Sequence, residues 1–103
     1  MATSYDVYET ETFSKLYLAM EKEEKECVNK IKIQLKSNPD AGKQLRFDWF
    51  REKKLGNKRL YYLIYKHINS VLLVSFGTKK EQQKIIDHII ENKDRYKKII
   101  ESV

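Results

Sequence analysis

Residues 45–76 read L-R-F-D-W-F-R-E-K-K-L-G-N-K-R-L-Y-Y-L-I-Y-K-H-I-N-S-V-L-L-V-S-F, and the fold turns on this run. It is rich in the aromatic and branched residues that suit a pleated surface, and it is interrupted at Gly56-Asn57 and at Asn69-Ser70. The pattern predicts three strands joined by two tight turns, with an antiparallel meander as the economical arrangement. In the middle strand Arg59, Tyr61, Leu63, Tyr65 and His67 point one way, and Leu60, Tyr62, Ile64 and Lys66 the other. One face is therefore expected to be the more polar.

Upstream, Tyr5–Glu9 alternates as a short strand does, and Thr10 or Thr12 can cap a following helix. Phe13, Leu16, Tyr17 and Met20 fall at i, i+3, i+4 and i+7. The charged run Glu21–Glu26 then leads to a second stripe of Cys27, Val28, Ile31 and Leu35, so a helical hairpin bending near Lys22–Lys25 is expected, with Cys27 in its core. Asn38-Pro39-Asp40 ends that hairpin because proline disfavours helix in the residue before it, and Gly42 completes a turn. After Gly77-Thr78 a helical period returns in Ile85, Ile86, Ile89 and Ile90, extended by Tyr96, Ile99 and Ile100. The expectation is an α+β fold in a single domain, residues 1–103. An N-terminal strand and a helical hairpin pack on a small antiparallel sheet, and a C-terminal helix completes the unit.

Composition narrows the chemistry. A chain of 103 residues, 41% hydrophobic and 35% charged, with 3 Gly and 1 Pro, is neither collagen-like nor low-complexity. The longest aliphatic run is Val71–Val74, and Met1–Thr12 has no apolar stretch, so neither a membrane span nor a signal peptide is expected and the cytoplasm is the predicted location. The single Cys27 permits no internal disulfide and no cysteine-based zinc cage, and no metal is expected. There is no G-x-x-x-x-G-K-[ST] phosphate loop, no G-x-G-x-x-G and no H-E-x-x-H, so no nucleotide or other small-molecule cofactor is predicted. His67 and His88 read as surface or structural residues, one beside a turn and one flanking an isoleucine stripe.

The net charge of +6 is concentrated. Residues 41–80 carry 10 Lys/Arg against 2 Asp/Glu, whereas residues 1–40 are slightly acidic and residues 81–103 are balanced. Such an excess repels itself unless it faces a polyanion, which makes nucleic acid the leading partner class and an acidic protein the second. Arg46, Arg51, Lys53, Lys54, Lys58, Arg59, Lys79 and Lys80 lie on neighbouring strands or their ends. Pairing across Gly56-Asn57 brings Arg51–Lys54 beside Lys58-Arg59. Tyr61, Tyr62 and Tyr65 alternate through the same region and could stack on unpaired bases, or equally serve as amphipathic core.

In order and spacing, N-P-D-A-G-K-Q-L at Asn38–Leu45, R-E-K-K-L-G-N-K-R at Arg51–Arg59, Y-Y-L-I-Y at Tyr61–Tyr65 and V-L-L-V-S-F-G-T-K-K at Val71–Lys80 resemble the RelE/ParE toxin superfamily, nearer its RelE branch. The resemblance covers nearly the whole chain. It implies the toxin of a type II toxin-antitoxin system, a metal-independent endoribonuclease that inhibits translation by cutting mRNA on the ribosome, held inactive by a cognate RelB-like antitoxin. The implied chemistry is attack of a ribose 2′-hydroxyl on the adjacent phosphate, giving a 2′,3′-cyclic phosphate. That route needs a proton acceptor, a proton donor for the leaving oxygen and fixed positive charge around the phosphorane.

Carried over by position, the resemblance assigns catalysis to Arg59 on the strand, Lys54 across the turn and Lys79 after Gly77. Arg46, Arg51, Lys53, Lys58, Tyr61, Tyr65 and Lys80 become RNA-binding residues. Ile85 stands where some RelE enzymes carry a tyrosine, and Lys79 where many carry an arginine, a change from a planar guanidinium to a point charge. Two other functions fit the same order of segments. One is a ParE-like toxin that inhibits gyrase; the other is a RelE-fold module that binds RNA or protein with weak activity or none.

Overall fold

The central strand organises the molecule because both of its faces are buried. In a computed structural model describing residues 4–103, β1 (Asp6–Glu9), β2 (Lys43–Gln44), β3 (Phe50–Leu55), β4 (Lys58–Tyr65) and β5 (Ser70–Thr78) form one sheet in the order β1-β5-β4-β3-β2. The expected meander is β3-β4-β5, but β4 ends at Tyr65 and its link to β5 is a 3-10 turn, Lys66–Ile68, followed by Asn69, in place of a tight turn at Asn69-Ser70. Gly56 (φ 60°) and Asn69 (φ 48°) take the left-handed conformation in its turns, which glycine and asparagine adopt at the least cost. β1 corrects the all-antiparallel expectation: it joins the edge of the sheet parallel to β5, with Val7 opposite Val71 and Glu9 opposite Leu73. A parallel pair needs a long crossover, and the whole chain between Glu9 and Ser70 supplies it.

α1 (Glu11–Leu18) and α2 (Lys22–Ser37) cover one face of the sheet. Phe13, Val28 and Leu35 pack there on Leu60, Tyr62 and Ile64. α3 (Gln82–Glu91) and α4 (Lys93–Glu101) cover the other, with Ile86, Ile89 and Ile100 against Phe50, Tyr61 and Leu63. Residues 60–64 are consequently all buried, and neither face of β4 is the polar one. Alternation of polar and apolar residues marks a sheet solvated on one side, and this sheet is not. Val74 is the extra residue of a β-bulge, lying between the pairs Tyr61–Ser75 and Tyr62–Leu73, and it remains in the α3/α4 core.

The helices depart from expectation in three places. The hairpin breaks at residues 19–21, ahead of Lys22–Lys25, because Glu21 caps α2 through a reciprocal box with Glu24. Cys27 is exposed and Val28 takes the core position next to it. The C-terminal helix is two helices, divided at Asn92, whose side-chain amide and backbone N–H both donate to the His88 carbonyl. Among the described residues no helix is long and apolar enough to cross a membrane.

The connection from α2 to β2 is fastened to the sheet by Tyr62. Its buried hydroxyl donates to the Pro39 carbonyl at 2.7 Å and accepts from the Gly42 N–H at 2.9 Å. Any side chain at Gly42 would place a Cβ 2.6 Å from the Glu52 carbonyl oxygen, so only glycine passes here. The Arg51 guanidinium donates to the carbonyls of Gly42 (3.0 Å), Asp48 (3.0 Å) and Asp40 (3.3 Å), completing the attachment. Tyr62→Phe leaves two backbone groups unpaired in the interior and is expected to lower the unfolding free energy by ~1–3 kcal/mol in urea denaturation, with an unchanged m-value.

Candidate nucleic-acid interface

Strand register decides which cations share a face. Lys54 lies directly opposite Arg59, and Glu52 opposite Tyr61. Arg59 in turn faces Gly77 on β5, and Lys43 faces Glu52 from β2. Lys43, Glu52, Lys54 and Arg59 therefore belong to the α3 side of the sheet. Directly opposed residues have Cβ atoms about 4.5–5.5 Å apart, which holds Lys54 and Arg59 together as a pair. Gly77, the residue opposite Arg59, is buried and has no room for a side chain. Ile85 of α3 closes over the glycine so tightly that an added Cβ would come within 2.7 Å of its Cδ1. Lys43, Lys53, Lys54, Arg59 and Glu52 line a groove, an open cavity of about 350 Å³.

Arg59 is held in place. Its Nη1 donates to the Lys58 carbonyl at 3.1 Å, and its Nε lies 4.0 Å from Oε2 of the buried Glu52 carboxylate. The same Glu52 oxygen accepts from Gln82 Nε2 at 2.8 Å, which ties the start of α3 to the floor of the groove. Lys79 and Lys80 sit exposed in a single 3-10 turn, Lys79–Glu81. Glu81 Oε1 fastens the turn by accepting from both the N–H and the hydroxyl of Thr78 at 2.9 Å. The Lys79 N–H donates to Asn57 O at 3.2 Å, bringing the turn against the β3-β4 hairpin. Those Thr78 bonds hold the Glu81 carboxyl below its ordinary range, so it stays ionised and donates no proton. Lys43, Lys53, Lys54, Lys79 and Lys80 have no ion-pair partner among the described residues.

The remaining expected RNA contacts lie elsewhere. Lys58 points to the α2 side, where its Nζ meets Glu24 Oε2 at 2.8 Å and stands 5.5 Å over the Phe76 ring. Arg51 pairs with Asp40 at 3.4 Å and Arg46 with Asp87 at 3.3 Å. These three cations support the fold. Tyr61 is fully buried, and its hydroxyl meets no hydrogen-bond partner among the described residues. Burial first, and then the Glu52 charge, push that phenol up to about 12. Tyr65 lies at the far end of β4, half-buried in the α3/α4 core. Neither tyrosine offers a face to RNA in the groove, because helices cover the side of β4 on which both stand. Of the seven, Lys53 and Lys80 stay with the groove or its adjoining turn.

Three contributors escaped sequence reasoning: Lys43, Glu52 and Gln82. His67 lies 3.2 Å from Glu101 on the surface and His88 is exposed on α3, so neither histidine enters the groove. Among the described residues no three His, Cys, Asp or Glu side chains converge on a point that could hold a metal ion.

No family model matches the sequence, and no curated protein does. Several solved structures do match. A mutant of the Escherichia coli toxin RelE in its free state superimposes with a TM-score of 0.74 at 18% identity, covering 86% of this chain and 97% of that one. A chain of the RelBE2 toxin-antitoxin complex of Mycobacterium tuberculosis gives 0.65 at 20% identity over 77% and 95%. The archaeal RelE-RelB complex of Pyrococcus horikoshii gives 0.68 at 13% identity over 74% and 96%. At these identities the likeness establishes the fold: the chain has the RelE-like fold, a mixed α/β unit with a five-stranded sheet and four helices.

Two substitutions test these placements. Tyr61→Phe removes a buried hydroxyl that has no partner, and is expected to leave thermal stability unchanged or raised by up to ~1 kcal/mol, with RNA affinity unaffected. Glu24→Gln tests the Lys58 pair. The Lys58 bond holds the Glu24 carboxyl below its ordinary 4.5, so the pair stabilises the native state above that pH and its contribution fades as pH falls through the native value. The stability difference between wild type and Glu24→Gln, followed by urea titration, should therefore narrow on acidification below pH 4.5.

Proposed function

We propose that the protein is a RelE-type toxin that cuts messenger RNA, with its scissile phosphate seated on Lys54 and Arg59 in the groove and Lys79 reaching it from the adjoining turn. The observation that supports this reading is the cross-strand Lys54–Arg59 pair lining an open groove with Lys43 and Lys53, on a RelE-like fold. The guanidinium of Arg59, held by the Lys58 carbonyl, meets the non-bridging oxygens of the phosphate. Lys54, acting as the free amine, accepts the 2′-hydroxyl proton as the 2′-oxygen attacks phosphorus and the bond to the 5′-oxygen breaks. The site holds no imidazole and no phenol at Ile85, which leaves Lys79, as an ammonium, to protonate the departing 5′-oxygen. The products are a 2′,3′-cyclic phosphate and a free 5′-hydroxyl.

An mRNA presented in the ribosomal decoding site would arrive already extended, so the protein need supply only charge and proton transfer. An antitoxin would silence it by laying an acidic segment across the same groove, and encounter would be fast because the charges are complementary. A second reading has its own support. The Glu52 carboxylate partly neutralises Arg59 and Ile85 replaces a phenol, which favours a module that binds RNA and leaves it intact. No feature of the groove calls for gyrase as a target.

One experiment separates these readings: mapping RNA ends in a translating extract supplied with wild type, Arg59→Ala or Arg59→Lys. Removing one preorganised donor costs about 3 kcal/mol, so Arg59→Ala should cleave ~100-fold more slowly, with partial recovery in Arg59→Lys. RNA that stays whole while bound to wild type supports the binding module, and full cleavage by Arg59→Ala refutes the site.

A further inference from the structure

A second cavity, of about 370 Å³, lies at the opposite end of β4 from Lys54 and Arg59. Trp49 and Tyr65 form its aromatic wall, Lys93 and Lys97 one rim, and Asp48 and Asp94 also reach it. We propose that this cavity binds one nucleotide of a single-stranded RNA, its base against Trp49 and its phosphate on Lys93 and Lys97. The choice of ligand class rests on the RNA reading above; the site itself does not share a residue with the groove.

Three observations carry the proposal. The first is a fixed stacking platform. Phe47 lies flat on Trp49, with ring centroids 4.6 Å apart and planes within 7°, while the Trp49 carbonyl accepts from the Ile64 N–H at 2.8 Å. The indole thus has a defined plane before any ligand arrives, and stacking on such a ring is tolerant of base identity. The second is charge. Lys93 and Lys97 stand four residues apart on one face of α4, both exposed, and neither has an ion-pair partner among the described residues. The third is polarity: the two carboxylates, of Asp48 and Asp94, are acceptors suited to the exocyclic amino group of adenine, guanine or cytosine. An acidic peptide would find the same lysines but brings no base amino group to those carboxylates.

Trp49 is the only tryptophan in the chain, so its fluorescence reads this cavity directly. The full-length protein should be titrated with adenosine monophosphate, with hexa-adenylate and with the acidic peptide Glu-Glu-Phe-Glu-Glu. Saturable quenching by both adenylates is expected. The exposed double substitution Lys93→Gln/Lys97→Gln should weaken hexa-adenylate quenching at least tenfold and lower the slope of log affinity against log salt by about 1.4. Arg59→Ala should leave quenching by the mononucleotide unchanged, so a protein that cleaves no RNA can still pass this test, and one that cleaves can fail it. Absent quenching, quenching indifferent to the two lysines, or tighter binding of the acidic peptide than of hexa-adenylate would each overturn the assignment.

Discussion

Everything in this molecule follows from the two-sided burial of β4. Fully burying one large apolar side chain is worth about 1.5–3 kcal/mol, and β4 commits Leu60, Tyr62 and Ile64 to one core and Tyr61 and Leu63 to the other. Sliding the strand by one residue would exchange the two sets. Exposed ion pairs, worth about 0–1 kcal/mol each, cannot outvote that register. Lys58 and Arg59 are neighbours in sequence yet end on opposite faces of the sheet, one beside Glu24 and the other beside Lys54. The hydrophobic pattern thus sorts the cations, and the cations do not sort themselves.

The sorting divides a basic segment into two populations. Arg46, Arg51 and Lys58 have intramolecular acceptors and hold the shell of the fold together. Lys43, Lys53, Lys54, Lys79 and Lys80 have none among the described residues, and Arg59 stands between the populations. Glu52 costs the site part of its positive charge. Its charge lies 4.0 Å from a guanidinium that the Lys58 carbonyl holds by a hydrogen bond, while Gln82 satisfies the carboxylate that would otherwise be buried with too few partners. Under the proposed cleavage reaction, a fixed direction for Arg59 would outweigh a fraction of a charge.

Much of the fold is legible in the sequence wherever a signal is local. Gly56-Asn57 and Asn69-Ser70 mark the meander because their backbone conformations suit few other residues, and the isoleucine period marks α3. Lys54 and Arg59 are legible as partners for the same reason: a two-residue turn leaves their register no freedom. What stays hidden depends on distant partners. The parallel pairing of β1 with β5 joins residues far apart in sequence, Gln82 reaches Glu52 only once α3 has docked, and Lys43 reaches the groove only through the short strand β2. The tyrosines mislead because an amphipathic ring looks the same in a core as on a surface, and two helical layers decide the matter for Tyr61. Cys27 and Val28 are one helical step apart, a difference finer than the stripe that contains both.

The central claim is that, within the basic segment 41–80, RNA meets the cations of the Lys54–Arg59 groove and its adjoining turn, and not Arg46, Arg51 or Lys58, which are held in ion pairs. Comparing two double substitutions that each remove two positive charges tests it most directly: Lys54→Gln/Arg59→Gln in the groove and Arg46→Gln/Lys58→Gln outside it. The measurement is RNA affinity as a function of salt, with circular dichroism confirming that each variant is folded. The account predicts at least a tenfold loss and a salt slope lowered by about 1.4 for the first variant, and affinity within about twofold of wild type for the second. Equal losses in both would mean that RNA responds to net charge alone, and that the sorting imposed by β4 has no bearing on function.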